Sequence, residues 1–345
     1  MSVKGVRVSR RQAEGTRRRL AAMCAVDKTK SIIEEGGHVI IPTVGTLDDI
    51  GSLLGPGADI VERVFPHRSS RNDPIDDIRD EAELPEPLKL LLPVKWEQFG
   101  EVLVLRLPHE LDEHEDEVAA AYASVLRVKS VLRDEGGVTG DLRTPVVRLL
   151  FGTDTVAVHR ENEVLYKFDV SKLMFSSGNN DERARVAGID CDDEIVVDMF
   201  AGIGYFSIPL AVHQRPRKII ACELNPVSHS YLVENIGLNH VEGIVEPVLG
   251  DNRSLEGESV ADRVLMGYVK TTHEYLSTAF RLVKSGGIIH YHETCPCELL
   301  PARPVERLQA ANPRGRVDIL GFREVKSYSP GVSHVVVDAR VVKRA

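Results

Sequence analysis

The segment that most restricts the fold is Ile195-Val-Val-Asp198, a short apolar run that ends on a carboxylate and passes at once into Ala201-Gly-Ile-Gly204. A buried strand that turns through glycines into a helix belongs to a parallel sheet wrapped by helices. The glycines let the backbone pass close under a ligand at the carboxyl edge of that sheet. About twenty residues on, Lys218-Ile-Ile-Ala-Cys-Glu223 places a second carboxylate at the next strand end, where an acid can accept both hydroxyls of a ribose. The alternation continues with helices expected at 204–212, 228–238 and 272–283 and strands at 246–249, 261–266 and 287–293.

A dinucleotide dehydrogenase would use the same logic, so the loop itself must separate the two readings. Ser207 stands where the third glycine of Gly-x-Gly-x-x-Gly would lie, and a ligand without a pyrophosphate has no need of that glycine. Asp198 would repel a phosphate but favours a nearby ammonium group. Both features point to S-adenosyl-L-methionine rather than NAD. A third strand end, Gly250-Asp251-Asn252-Arg253, adds an Asp to accept from the adenine amine and an Asn to pair with a ring nitrogen.

Upstream of this region the chain has a different texture. Ser9 reads as the cap of a helix over 10–24, with a strand at 37–44. The stretch 68–87, rich in Asp, Pro and Ser, reads as a boundary or mobile connection. Strands are expected at 101–107, 130–132, 146–150, 155–159 and 163–168, and a helix at 113–126. The net charge of -9 conceals an uneven distribution. Seven bases face one acid between Lys4 and Arg19, whereas Asp73 to Glu117 holds fifteen acids and four bases and reads as solvated surface. The five scattered cysteines form no disulfide framework, and no segment approaches the roughly 20 apolar residues of a membrane span. With no apolar leader at its N-terminus, the chain is expected to be cytoplasmic and to have no membrane partner. The sequence carries no signal of oligomeric state.

Taken with their flanks, these residues resemble the tRNA modification family of guanine-37 N1-methyltransferases and wyosine-pathway aminocarboxypropyl transferases. The likeness runs through Trp96 to Pro108, Tyr166-Lys-Phe-Asp169 and Met174-Phe-Ser-Ser-Gly-Asn179 up to Glu182-Arg183. Several words, including Met266-Gly-Tyr268 and His290-Tyr-His-Glu293, are similar to the branch that acts on 4-demethylwyosine in phenylalanine tRNA, tRNA(Phe). The resemblance implies an α/β fold. A Rossmann-like domain of the class I S-adenosylmethionine-dependent methyltransferases would span 166–345, preceded by small α/β (α+β) domains at 1–67 and 68–165 that bind tRNA. It also implies five donor-binding residues: Ser176, Arg183, Glu223, Asp251 and Asn252. Arg183 could hold the methionine carboxylate as a planar fork and Ser176 could add a hydrogen bond.

The sulfonium of the donor carries three carbons, and the one aligned with the acceptor is transferred. Base-methylating relatives carry an Asn after the fourth strand, where it can position the N–H of the base. Here Gly267 supplies no such group, which suits a carbon acceptor and transfer of the aminocarboxypropyl arm. Tyr268 is a candidate to stack on the acceptor base. Guanine-37 N1 methylation is the alternative, and a noncatalytic tRNA-binding protein a third reading. His290, His292, Cys295 and Cys297 suggest a zinc site, but alternate side chains on a strand lie too far apart to share one metal, so no metal is expected.

Overall fold

The computed structural model describes residues 3–44, 59–66, 73–139 and 144–344, and the chain forms two compact units, Met1–Asp77 and Ile78–Ala345. The first unit is a four-stranded sheet in the order β2-β3-β1-β4, with β1 (Val3–Ser9), β2 (Ile33–Glu35), β3 (His38–Pro42) and β4 (Asp59–Arg63). Strand β1 runs antiparallel to both of its neighbours. Helix α1 (Arg10–Ala22) packs its apolar side on the sheet through Leu20, against Val6, Val8 and Ile41. Ser9 occupies the N-cap position of α1 in an extended conformation, but its hydroxyl donates to Gln12 Oε1 at 2.8 Å instead of capping a backbone N–H. The helix stops two residues before the expected end, where Cys24 adopts a left-handed conformation.

The second unit opens differently from the sequence expectation. The described part of 68–87 carries helix α2 (Pro74–Glu81) and the start of α3 (Glu86–Lys89). Ile78 and Ala82, four residues apart, share a buried face there, so a polar composition hid a helical period. A four-stranded sheet follows, in the order β5-β6-β7-β8: β5 (Glu97–Phe99), β6 (Val102–Leu105), β7 (Ser130–Thr139) and β8 (Thr144–Phe151). Helix α4 (Glu115–Leu126) is the crossover between parallel β6 and β7. Three acids of the 109–117 run fill its first turn, where negative charge complements the helix dipole.

A hairpin of β9 (Val156–Glu161) and β10 (Val164–Asp169) turns through Asn162 and Glu163, both at positive φ. Its free edge is held by two asparagines. On a later helix, Asn235 exchanges hydrogen bonds with the Lys167 N–H (2.7 Å) and C=O (3.1 Å), and Asn239 does the same with Leu165 (2.8 and 2.7 Å). Four residues apart on one helix face, the two amides imitate a neighbouring strand.

Beyond α5 (Asn180–Ala187) lies a seven-stranded sheet in the order β13-β12-β11-β14-β15-β17-β16. Its strands are β11 (Ile195–Asp198), β12 (Lys218–Glu223), β13 (Val245–Leu249), β14 (Ala261–Met266), β15 (Val283–Pro296), β16 (Arg316–Ser329) and β17 (Val332–Val342). Helices α6 (Ser207–His213), α7 (Pro226–Leu238) and α8 (Leu276–Leu282) join the first five strands, and α9 (Ala302–Ala310) precedes the final hairpin. Strand β17 is antiparallel to both neighbours, whereas β11 is parallel to β12 and β14. The strand order reverses at β11, which opens a crevice at the carboxyl ends of β11 and β14. Among the described residues no helix is long and apolar enough to cross a membrane.

Asn235 also donates to the Ile203 carbonyl at 3.1 Å from a fully buried position. Replacing it with Ala strands several backbone groups of β10 and the glycine turn away from water. Asn235→Ala is therefore expected to lower unfolding stability by roughly 2–4 kcal/mol, measured by urea denaturation; a loss below about 0.5 kcal/mol would show that the asparagine clamp does not hold the hairpin.

Candidate functional site

The site begins where the chain leaves β11. Asp198 is fully buried; its Oδ1 accepts from the Phe200 N–H (3.2 Å) and its Oδ2 from the Ser207 hydroxyl (2.6 Å). The turn between those two anchors contains Gly202 (φ +58) and Gly204 (φ +100). At Gly204 a Cβ would lie 2.3 Å from Ile208 Cδ1, so only glycine lets the turn close onto α6. The expectation that Asp198 favours a ligand ammonium is corrected by this geometry: its side chain staples the turn and does not line the crevice. Ser207, where a dinucleotide site would have glycine, is the hydroxyl partner of that staple. Burial raises the Asp198 carboxyl to about 6.

Glu223, at the end of β12, accepts from the Gly202 N–H (2.7 Å) on one oxygen and the Asn225 N–H (2.8 Å) on the other. Each oxygen keeps a further lone pair. Burial raises this carboxyl too. Asn225 also caps α7, accepting from the Val227 N–H at 2.9 Å, so one short segment starts the helix and orients the acid.

At the end of β13, Asp251 is paired with the backbone N–H and guanidinium of Arg253. That pairing holds its carboxyl below the ordinary range. Asn252 donates its amide N–H to the Met199 carbonyl at 2.9 Å, which leaves Oδ1 buried and without a partner. The sequence expectation paired Asn252 with a ring nitrogen. One N–H of the amide is engaged by the turn, which leaves its second N–H for a ring nitrogen and adds an unpartnered acceptor suited to an exocyclic amine.

The segment before α5 supplies the other wall. Arg183 is buried and clamps Glu161 with two bonds of 2.6 Å, donates to the Ser176 carbonyl at 2.9 Å, and lies 4.5 Å over the Phe175 ring. The fork expected to grip a ligand carboxylate is thus occupied by Glu161. The Ser176 hydroxyl accepts from Lys326 Nζ at 2.7 Å. No sequence signal points to Glu161 or Lys326. They lie far along the chain from the residues they serve and belong to no local motif.

These elements enclose a cavity of about 570 Å³. Ser176, Arg183, Glu223, Asp251 and Asn252 all stand in its wall. An aromatic group completes it: Phe200 stacks on Tyr268 (5.3 Å between ring centroids, 19° between planes) and meets Tyr275 edge-on at 5.1 Å. One face of Tyr268 is therefore taken by Phe200 rather than offered to a base. At Gly267 a Cβ would fall 2.6 Å from Phe206 Cε2, so the end of β14 closes on that ring without room for a side chain.

The histidines of β15 face β17. His290 sits between Arg263 (2.8 Å) and Asp338 (2.5 Å), and His292 Nδ1 meets His334 Nε2 at 3.0 Å. Burial depresses both β15 histidines. Among the described residues no group of three or more His, Cys, Asp or Glu is arranged to hold a metal.

The cavity fits an adenosine-bearing amino acid. Its size suits a ligand of that class, an acid with open lone pairs, Glu223, stands in its wall, and two buried acceptors there, Asn252 Oδ1 and Asn179 Oδ1, have no protein partner. Fold and site together define a transferase of the nucleoside-binding Rossmann class. More particularly, the chain belongs to the TRM5/TYW2 methyltransferase family, whose domain model matches residues 157–320. The TYW2 N-terminal domain matches 78–155 and the tRNA methyltransferase 5 N-terminal domain matches 5–50. The tRNA(Phe) (4-demethylwyosine(37)-C(7)) aminocarboxypropyltransferase of Pyrococcus horikoshii is 48% identical, over 76% of this chain and 94% of its own. The tRNA (guanine(37)-N(1))-methyltransferase Trm5b of Pyrococcus abyssi is 34% identical, over 97% and 98%. The crystal structure of P. horikoshii TYW2 in complex with MeSAdo superposes with a TM-score of 0.72 at 46% identity, covering 78% of this chain and 100% of that one.

The raised carboxyl of Asp198 has a pH signature. Between pH 4 and 6 the folded state keeps a proton that the unfolded chain has lost, so the ionised, buried group becomes a cost as pH rises. Asp198→Asn removes that cost. The stability difference between variant and parent should shift toward the variant by about 2 kcal/mol from pH 4 to pH 7, followed by thermal unfolding at each pH; a difference that stays flat contradicts the assignment.

Proposed function

We propose that the protein transfers the 3-amino-3-carboxypropyl group of S-adenosyl-L-methionine to carbon 7 of 4-demethylwyosine at position 37 of tRNA(Phe), in wyosine-derivative biosynthesis. Bound in the cavity, the donor supplies an electrophilic γ-carbon on a sulfonium whose leaving group is methylthioadenosine. Glu223 offers its remaining lone pairs to the ribose hydroxyls, and Asn252 Oδ1 accepts from the adenine amine. Asp251, fixed by Arg253, borders the same end. Ser176 and Arg183 border the amino acid end, with the guanidinium charge already balanced by Glu161. Phe200, Tyr268 and Tyr275 present an apolar aromatic wall to a planar base.

The observation that carries the choice of reaction is Gly267. Where base-methylating relatives position an N–H with an amide, the Phe206 ring leaves no room here for any side chain. An acceptor carbon needs no such group, because the electron-rich double bond can attack before its proton is lost. A second reading, guanine-37 N1 methylation, is favoured by one observation: the Trm5b relative matches almost the whole chain.

Donor labelled separately in its methyl and carboxyl carbons distinguishes the readings. Carboxyl label is expected on tRNA(Phe) while methyl label departs with methylthioadenosine; methyl label retained on RNA would establish the second reading, and neither label on RNA a noncatalytic binder.

The first unit is proposed to hold tRNA through its phosphates, which position a substrate without being read. On α1, Arg17 and Arg18 share the single acid Glu14 at 2.7 and 2.9 Å, so the face keeps a positive excess. Replacing Arg18 and Arg19 with Ala should weaken tRNA binding and flatten its salt dependence, by about 0.7–0.9 in the log–log slope for each phosphate that is no longer neutralised. An unchanged slope in filter-binding titrations would remove α1 from the tRNA interface.

A further inference from the structure

We propose that Lys270 and Thr271 form an oxyanion site at the rim of the cavity that takes the phosphodiester flanking the target nucleotide, and that this contact sets how the base lies against the aromatic wall. The proposal rests on the reading of the protein as a tRNA-modifying transferase and assigns two residues beyond the five above. The charges of the cavity wall single out Lys270. Arg183 is balanced by Glu161 and Asp251 by Arg253, and Glu223 is held by two backbone N–H groups. Lys270 lines the same wall, is exposed, and among the described residues makes no hydrogen bond or ion pair. Its neighbour Thr271 also lines the cavity. Thr271 stands at the N-cap position of the short turn Thr272–Tyr275, yet its hydroxyl makes no capping hydrogen bond. An ammonium beside a hydroxyl, neither of them engaged by protein, is a donor set for an oxyanion.

The backbone that carries this pair is tethered on both sides. The Val269 carbonyl accepts from the Thr294 N–H (3.0 Å) and hydroxyl (2.6 Å), and the Thr272 hydroxyl donates to the Tyr268 carbonyl. Val269 and Thr272 are both buried. The loop is thus fixed at 269 and 272, while the two side chains between them stay unengaged. Two ligands of this cavity carry an oxyanion: the tRNA, in its phosphodiesters, and the donor, in the carboxylate of its arm. The position of the pair favours the first. Lys270 is exposed on the loop that carries Tyr268 and leads to Tyr275, the wall assigned to the base, whereas Ser176 and Arg183 border the amino acid end from a different segment. A base modified inside a pocket leaves its stack, and its sugar-phosphate stays at the rim. Gly267 gives the reaction a use for this contact. It offers no group to the edge of the base, and a ring lying flat on aromatic side chains can still turn in its own plane. Holding the phosphate removes that freedom and helps to line up carbon 7 with the γ-carbon.

The test pairs tRNA binding with donor binding in the full-length protein. With tRNA(Phe) carrying 4-demethylwyosine, Lys270→Met should weaken binding by about two- to fivefold and lower the log–log salt slope by about 0.7, the value for one phosphate of a single strand. Lys270→Arg should keep the parent slope. Thr271→Val removes a neutral donor, so it should weaken tRNA binding with the slope unchanged. None of the three should alter the affinity for S-adenosylmethionine measured without RNA. An unchanged slope in Lys270→Met would overturn the proposal, and so would weakened S-adenosylmethionine binding, which would give the pair to the donor's carboxylate. Failure of the unaltered protein to modify this tRNA would instead overturn the reading of the reaction.

Discussion

The cavity depends on a buried negative charge at the end of β11. Asp198 faces no ligand, yet its two oxygens tie the Phe200 N–H and the Ser207 hydroxyl together and so set the span of the glycine turn. With the turn held, the Gly202 N–H points at Glu223, and Met199 presents its carbonyl to Asn252. The acid on β12 and the amide after β13 are both oriented by backbone groups of one loop. Burying an ionisable group is costly, and the raised Asp198 carboxyl records that cost.

A second buried pair organises the opposite wall. Arg183 and Glu161 join α5 to the β9–β10 hairpin, and Asn235 of α7 with Asn239 at its C-cap fastens that hairpin's outer edge. The hairpin therefore sits between two helices of the nucleotide fold without being a strand of its sheet. Breaking such a pair leaves an uncompensated charge in the interior, so Arg183 contributes to the shape of the site at least as much as to its charge.

Much of the fold was legible because its signals are local. The parallel strands β11 to β15 read as apolar runs, and their ends carry the Asp, Glu and Asp-Asn residues that reach the crevice. Five side chains named from sequence words stand in one cavity wall, brought there by strands and loops that end at a common edge. Other features left no trace in a linear reading. Helix α2 was hidden by an acidic composition, since only Ile75, Ile78 and the adjoining Ala82 mark its buried side. The long hairpin of β16 and β17 follows the last strand expected at 287–293, and its alternation is blurred by register shifts. Nor was the use of each polar group legible: the Arg183 fork, one N–H of the Asn252 amide and one face of Tyr268 all meet protein partners.

The sequence by itself determined the nucleotide fold, the class of donor and which side chains reach it, because each depends on residue type at a strand end or in a tight turn. Tertiary structure alone decided what those side chains have left to offer. A hydrogen bond occupies its donor or acceptor, and the partners, Glu161 for Arg183 and Met199 for one N–H of Asn252, come from distant points in the chain. Only when these pairs are drawn does the remaining set emerge: open lone pairs on Glu223, an unpartnered oxygen on Asn252 and another on Asn179.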